Sequence, residues 1–225
     1  NDASISTEKK EMIHEMLVSV DRASDLSKQL LAFARQDTGV RLEQLNFTEE
    51  VQRAVGIVEQ LAPAVITVHT DITEEPLYIL GRKGMAEHIL MNLCKNAFQA
   101  MEKTERKELG IELMGGHGHL ILRVRDTGCG ISEDVQQKIF EPFYTTKGSR
   151  HGTGLGLSVV RNILGSIGGT IHVESTLGEG TCFTMEIPLC EDVGDDEDAR
   201  AASDRGTVEG QRKDAADRRD PDGNE

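Results

Sequence analysis

The 225 residues include no tryptophan, 4% aromatic residues and five prolines. A chain so poor in large rings builds its interior from aliphatic side chains, and at this length it holds one or two domains around a modest core. Positive charge is also scarce: 25 Lys and Arg stand against 39 Asp and Glu, a formal net charge of −14. Nucleic-acid phosphates would be repelled by that balance, so no nucleic acid is expected as a partner. No apolar run is long enough to span a bilayer and no basic leader precedes an apolar stretch, so these residues read as cytoplasmic, with membrane anchoring of a longer protein left open. The four cysteines, at 94, 129, 182 and 190, form no C-x-x-C and no His-containing ligand spacing. Neither zinc nor a disulfide is expected, and Cys94 and Cys182, on apolar-patterned positions, read as reduced core residues.

What the chain does have is concentrated between Asp126 and Leu157, where D-T-G-C-G-I, I-F-E-P-F-Y-T-T-K and G-T-G-L-G-L follow one another. Leu120, Leu122 and Val124 alternate with Ile121, Arg123 and Arg125, a strand pattern that places Asp126 at a strand end. A carboxylate there can accept from an exocyclic amine such as that of adenine, and Gly128 and Gly130 allow backbone to approach a flat ring. Gly152, Gly154 and Gly156 lead into the apolar helical pattern of Leu157-Ser158-Val159-Val160, so free N–H groups and the helix dipole favour an anion. Between the two, Thr145, Thr146, Lys147 and Arg150 sit in a lid-like segment interrupted by Pro142, Gly148 and Gly152. The glycines fit neither G-x-G-x-x-G after a first βαβ strand nor G-x-x-x-x-G-K-[ST], which excludes the usual dinucleotide and P-loop folds.

Upstream, Ala86, Leu90, Leu93, Ala97 and Met101 recur at steps of three and four, the apolar stripe of a helix over Gly84 to Met101. His88, Asn92, Asn96 and Gln99 form its other face. Asparagine is a poor helix former, and a plain solvated face would carry Glu and Lys; an amide oxygen is instead a hard ligand suited to Mg²⁺ that also holds phosphate.

These segments, H-I-L-M-N-L-C-K-N-A-F-Q-A-M, D-T-G-C-G-I, I-F-E-P-F-Y-T-T-K and G-T-G-L-G-L-S, resemble in order and spacing the N, G1, F and G2 boxes of the sensor histidine kinase catalytic domain, over about residues 41 to 190. The resemblance implies an α+β fold, the two-layer Bergerat sandwich of a mixed sheet and helices, with ATP and Mg²⁺ as cofactors. It assigns Asn96 to Mg²⁺, Asn92 to the phosphate and metal side, and Lys147 to the phosphates, these three being the catalytic set. Asp126 falls to the adenine amine, Gly128, Gly130 and Ile131 to the ring, and Thr181, in G-E-G-T, to a water shared with Asp126. The phosphate-facing lid and G2 residues are Thr146, Arg150 or His151, Gly152, Thr153, Gly154, Leu155, Gly156 and Leu157.

In chain order, residues 1–40 carry a helical pattern from about Glu8 to Gln36 whose end, S-D-L-S-K-Q-L-L-A-F-A-R, resembles the second helix of the dimerisation and phosphoacceptor hairpin. The H-E-[LI]-[RK]-x-P box does not occur; His14-Glu15 lacks the proline, so His14 reads as a helix-surface residue and the chain as a fragment. Asn46 reads as an N-cap with Glu49 three residues on, opening a helix through Leu61 that Pro63 ends. Strands follow at Val65–Asp71 and Leu77–Leu80, then the asparagine helix, strands at 109–115 and 119–126, the lid, a helix to about Ile167 stopped by Gly168-Gly169, and strands at 170–175 and 181–188. Residues 191–225 carry thirteen acids against six bases and little to bury, so a disordered acidic tail or linker is expected.

ATP-hydrolysing proteins of the same fold place a glutamate one turn before the metal asparagine; here that position is Asn92, which cannot take a proton. The resemblance therefore implies transfer of the γ-phosphate to a histidine, with a phosphoacceptor helix of the same or a partner subunit, a response regulator or fused receiver domain, and a homodimer as partners. A non-catalytic nucleotide sensor and an ATPase are the alternatives.

Overall fold

The structure is a computed structural model, which describes residues 42–146 and 153–190 together with Lys9, Met12 and Ile13. The helix expected within residues 1–40, the lid residues 147–152 and the acidic segment 191–225 lie outside the described residues.

The described chain runs β1 (Glu43–Asn46), α1 (Phe47–Leu61), β2 (Thr67–Ile72), β3 (Tyr78–Gly81), α2 (Met85–Ala100), β4 (Glu108–Gly116), β5 (His119–Asp126), a short α3 (Glu133–Gln136), α4 (Gly156–Gly165), β6 (Thr170–Thr176) and β7 (Gly180–Pro188). Five strands form a mixed sheet in the order β2-β4-β5-β7-β6, with β2 parallel to β4 and the other pairings antiparallel. The α+β sandwich with a mixed sheet is the architecture expected from the sequence. Two details differ. Residues 43–46, read only as an approach to Asn46, form a strand, and β3 leaves the main sheet to pair antiparallel with it.

Local chemistry sets the element ends. Asn46 caps α1, its side-chain oxygen accepting from the Glu49 N–H at 3.3 Å, and Ala62 leaves the helical region just before Pro63. At the start of α2, Gly84 is left-handed at φ 78° and its N–H donates to the buried Glu50 of α1 at 2.8 Å. Glu50 is also paired with Arg53, so the carboxylate holding the two helices together is compensated. Helix α4 ends two residues before the expected Ile167; the Gly169 N–H reaches the Leu164 carbonyl at 2.8 Å across a left-handed Gly168, the glycine stop anticipated there.

One face of the sheet supplies Leu109, Ile111, Leu113, Leu120, Leu122, Val124, Phe183, Met185 and Ile187 to a core shared with the buried stripes of α1, α2 and α4. All five apolar positions predicted for α2 are buried. The opposite face is open and polar, and Cys182 is on it, half-buried and in register with Arg125 and Glu174. The expectation of a core Cys182 fails because strand alternation turns it away from Thr181 and Phe183, whereas Cys94 is fully buried. Burial pushes the Cys94 thiol up to about 12.

Candidate nucleotide site

The inward face of the sheet ends in three polar residues standing side by side. Asp126 pairs with Thr181 across β5 and β7, and Thr181 pairs with Ser175 across β7 and β6. Asp126 and Thr181 are 5% and 4% exposed, an unusual burial for polar groups at the edge of an apolar core. The Gly128 N–H donates to Asp126 Oδ1 at 2.8 Å.

The loop after β5 is built on its glycines. A Cβ on Gly128 would stand 2.6 Å from both the Ala100 Cβ and Asp126 Oδ1, and one on Gly130, at φ 69°, would stand 2.1 Å from the Thr176 carbonyl oxygen. Close packing on the end of α2 and on the β6–β7 hairpin thus demands glycine independently of any ring. The loop is tied down by Cys129 N–H to Ala100 O at 3.1 Å, Gly178 N–H to Cys129 O at 2.9 Å, Ile131 N–H to Ser175 Oγ at 2.8 Å, and Gln136 Nε2 to the Ile131 and Ser175 carbonyls at 2.8 and 2.9 Å.

On the other side of α2, the first residue of α4 meets the asparagine face. A Cβ on Gly156 would lie 2.9 Å from Asn92 Oδ1, while Asn92 Nδ2 donates to the His88 carbonyl at 2.8 Å. The amide is therefore anchored through its nitrogen, and its oxygen is set beside the helix start. Asn96, half-buried, is one turn further along the same face. Gly154, at φ 67°, packs on Phe143, whose N–H donates to the Gly154 carbonyl at 2.9 Å and which is itself left-handed at φ 67° and 66% exposed. The segment leading into the lid is anchored by the buried Ile139 and by Phe140, which meets Phe183 edge-on at 6.4 Å with the Arg161 guanidinium 5.9 Å from its ring.

Asn92, Asn96, Asp126, Gly128, Gly130, Ile131, Thr153, Gly154, Gly156 and Thr181 thus come from four separate stretches to the middle and C-terminal end of α2 and the adjoining strand ends. Thr146 is exposed, Leu157 half-buried against the core, and Leu155 6% exposed, its carbonyl accepting from Ser158 Oγ at 2.9 Å. Lys147, Arg150, His151 and Gly152 lie outside the described residues. The sequence reading passed over Ser175, Gln136 and Phe143. Ser175 carried a legible signal, a hydroxyl on the inward face of a strand whose other inward residues are Ile171 and Val173.

A groove of about 580 Å³ runs along the open face of the sheet, lined by Glu112, Arg123, Arg125, His172 and Glu174, and at one end by Asp126, Ser175 and Thr181. Its charges are mixed, with Arg123 and Glu112 3.7 Å apart, and it holds neither the asparagines nor the start of α4. The candidate site comprises the residues gathered at α2 together with the end of this groove at Asp126 and Thr181. Among the described residues no group of three His, Cys, Asp or Glu side chains could hold a metal ion. Asn92 and Asn96 carry their side-chain amides on the same face of α2, one turn apart.

Residues 81–191 match the family described as histidine kinase-, DNA gyrase B-, and HSP90-like ATPases, the class that this sandwich and its glycine-framed pocket define. The sensor kinase CckA of Brucella abortus is 33% identical over 183 residues, 76% of this chain and 19% of the relative. The sensor histidine kinase RppB of Synechocystis is 30% identical over 196 residues, 84% of this chain and 43% of the relative. Among solved structures, full-length ShkA in complex with AMPPNP superposes with a TM-score of 0.66 at 26% identity, covering 78% of this chain and 38% of that one. Within the class, the domain belongs to the sensor histidine kinases: it is their ATP-binding domain. The chain spans less than half the length of these relatives. No helix among the described residues is long and apolar enough to cross a membrane.

Proposed function

We propose that this domain binds Mg·ATP and donates the γ-phosphate to a histidine on a separate helix, as the kinase half of a two-component phosphorelay. The observation that carries the reading is Asn92, whose oxygen is fixed against Gly156 at the start of α4 where a hydrolysing enzyme would need a proton acceptor. A side-chain amide cannot activate water at that place, so the attacking group must bring its own nucleophilicity, and a neutral imidazole nitrogen does.

In this reading Asp126 accepts from the adenine amine beside Thr181, and the backbone from Thr153 to Leu157 turns N–H groups and the dipole of α4 toward the phosphates. Asn96 and Asn92 would hold Mg²⁺, which neutralises triphosphate charge when bound. Lys147, Thr146 and Arg150 or His151 close over the phosphates, and transfer then depends on alignment of the histidine with the γ-phosphate. The partners are a phosphoacceptor helix of the same or a second subunit in a homodimer, and a response regulator or receiver domain. Residues 1–40 would be the second helix of the phosphoacceptor hairpin and 191–225 an acidic linker.

The test is calorimetry with Mg·ATP followed by γ-phosphate labelling, in which the chain alone binds nucleotide, hydrolyses it feebly and stays unlabelled. Adding a histidine-bearing helix yields acid-labile label on that helix. Rapid turnover without the helix would favour an ATPase, tight binding with no transfer to any supplied helix would favour a sensor, and label lost in His14→Ala would make His14 the acceptor.

A further inference from the structure

Ser175 is saturated by its neighbours in a way that fixes the proton of the hydroxyl beside it. Its Oγ lies 2.8 Å from the Gly180 carbonyl oxygen, 2.8 Å from the Ile131 nitrogen and 3.0 Å from Thr181 Oγ1. A carbonyl has no proton to give, so the contact with Gly180 must contain the Ser175 hydrogen. The Ile131 N–H is a donor, so it occupies one of the two lone pairs of Ser175. The bond between the two hydroxyls is then left with one available hydrogen, that of Thr181. Thr181 must donate to Ser175, and a hydroxyl that has given its only proton offers nothing but lone pairs elsewhere.

The arrangement is rigid for reasons already visible in the backbone. Ser175, Thr181 and Asp126 are consecutive partners across three strands. Gly180, at φ 128°, leaves no room for a side chain, since its Cβ would fall 2.0 Å from the Asp126 carbonyl oxygen. Gln136 clamps the Ile131 and Ser175 carbonyls together, which holds the Ile131 N–H against Ser175 Oγ. Rotating the Thr181 hydroxyl away would strip a half-buried serine oxygen of a partner and gain nothing inside the protein.

We propose that Ser175 is a positioning residue that sets nucleobase specificity by making Thr181 an acceptor only. This rests on the reading of Asp126 and Thr181 as the base pocket. A carboxylate beside an acceptor-only hydroxyl welcomes a purine bearing a 6-amino group, or a water that donates to Thr181, and rejects a 6-oxo group that is itself an acceptor. Selectivity for adenine then has two parts, the charge of Asp126 and the proton direction imposed through Ser175.

Inosine triphosphate, which has a 6-oxo group and an N1–H, is the probe. In Ser175→Ala the Thr181 proton is released and can be donated toward the base. The ratio of ATP to inosine triphosphate affinity should fall by about tenfold, the scale of one hydrogen bond. Ser175→Thr keeps the hydroxyl and should keep the wild-type ratio. Because Ser175 acts through Thr181, adding Ser175→Ala to Thr181→Val should change the ratio no further. A purely structural serine would weaken both nucleotides equally, and an unchanged ratio in a folded Ser175→Ala overturns the proposal. The wild-type protein offers a check that needs no variant: NMR should show a slowly exchanging Thr181 hydroxyl proton in contact with the Ser175 β-protons, and a rapidly exchanging one overturns the proposal. Should Asp126→Asn leave both affinities and their ratio at wild-type values, the pocket reading has failed. Should Asp126→Asn weaken ATP while Ser175→Ala leaves the ratio alone, the role of Ser175 alone has failed.

Discussion

Asn92 Oδ1 sits 2.9 Å from the point where a Cβ on Gly156 would be, so α2 and the start of α4 touch through an atom that glycine alone leaves room for. Asn92 cannot swing aside without giving up its bond to the His88 carbonyl. Gly156→Ala should therefore push the amide out of place and weaken Mg·ATP binding roughly tenfold, about the loss of one hydrogen bond to a charged group. The melting temperature should change little, because alanine is at home at a helix start. Calorimetry beside a thermal melt checks this, and unchanged affinity would detach Asn92 from the phosphate site.

Asp126→Asn removes the charge but keeps an oxygen for the Gly128 N–H. ATP affinity should drop by about 1.5 to 3 kcal/mol, the scale of a hydrogen bond to a charged group. Circular dichroism should stay native, and an unaltered affinity in a folded variant refutes the base contact.

Two glycines should respond in opposite directions to the same change. Gly130→Ala meets the Thr176 carbonyl oxygen at 2.1 Å from a left-handed backbone, and should destabilise by roughly 1 to 3 kcal/mol. Gly56, within α1, has nothing within 4 Å of its Cβ position, so Gly56→Ala should stabilise by up to about 1 kcal/mol. Urea unfolding of the two variants reads the contrast directly.

The thiols divide by burial. Cys129 is exposed and should react with iodoacetamide in the native state, while Cys94 should not react until the domain unfolds. Because the folded Cys94 pKa is raised from 9.0 to about 12, its contribution to stability is fully present below pH 9 and is lost as pH climbs toward 12. Urea midpoints measured from pH 8 to 11 should fall above pH 9, and in Cys94→Ala the part of the slope due to this thiol, up to about 1.4 kcal/mol per pH unit, should vanish.

Much of the site was legible because its residues break the rules of their own elements. Asn92 and Asn96 are poor helix formers on a helix face, Asp126 is a charge closing an apolar strand, and the glycines cluster where no flexible linker is called for. What escaped the sequence is what depends on contacts between distant segments. The pairing of β3 with β1 is a choice between two sheets that alternation cannot make, since Ile79 is buried either way. Cys182 read as core from its place in an apolar-patterned stretch, yet its parity along β7 opposes that of Phe183 and Met185. The left-handed Phe143 carries no signal at all: its N–H is bonded to the carbonyl of Gly154, eleven positions further along the chain.

The hydrogen bonds that hold Ile131, Gln136, Ser175 and Thr181 to one another, and Gly128 to Asp126, all lie within residues 126–181. On the proposed reading these contacts hold the base side of the pocket, whereas the terminal phosphates would meet the glycine segment at the start of α4, which Phe143 adjoins through its bond to Gly154. Spent and fresh nucleotide share the same anchor, so the anchor cannot tell them apart. On that reading, any preference for ATP over ADP would be set at the phosphate end of the nucleotide and not at its base.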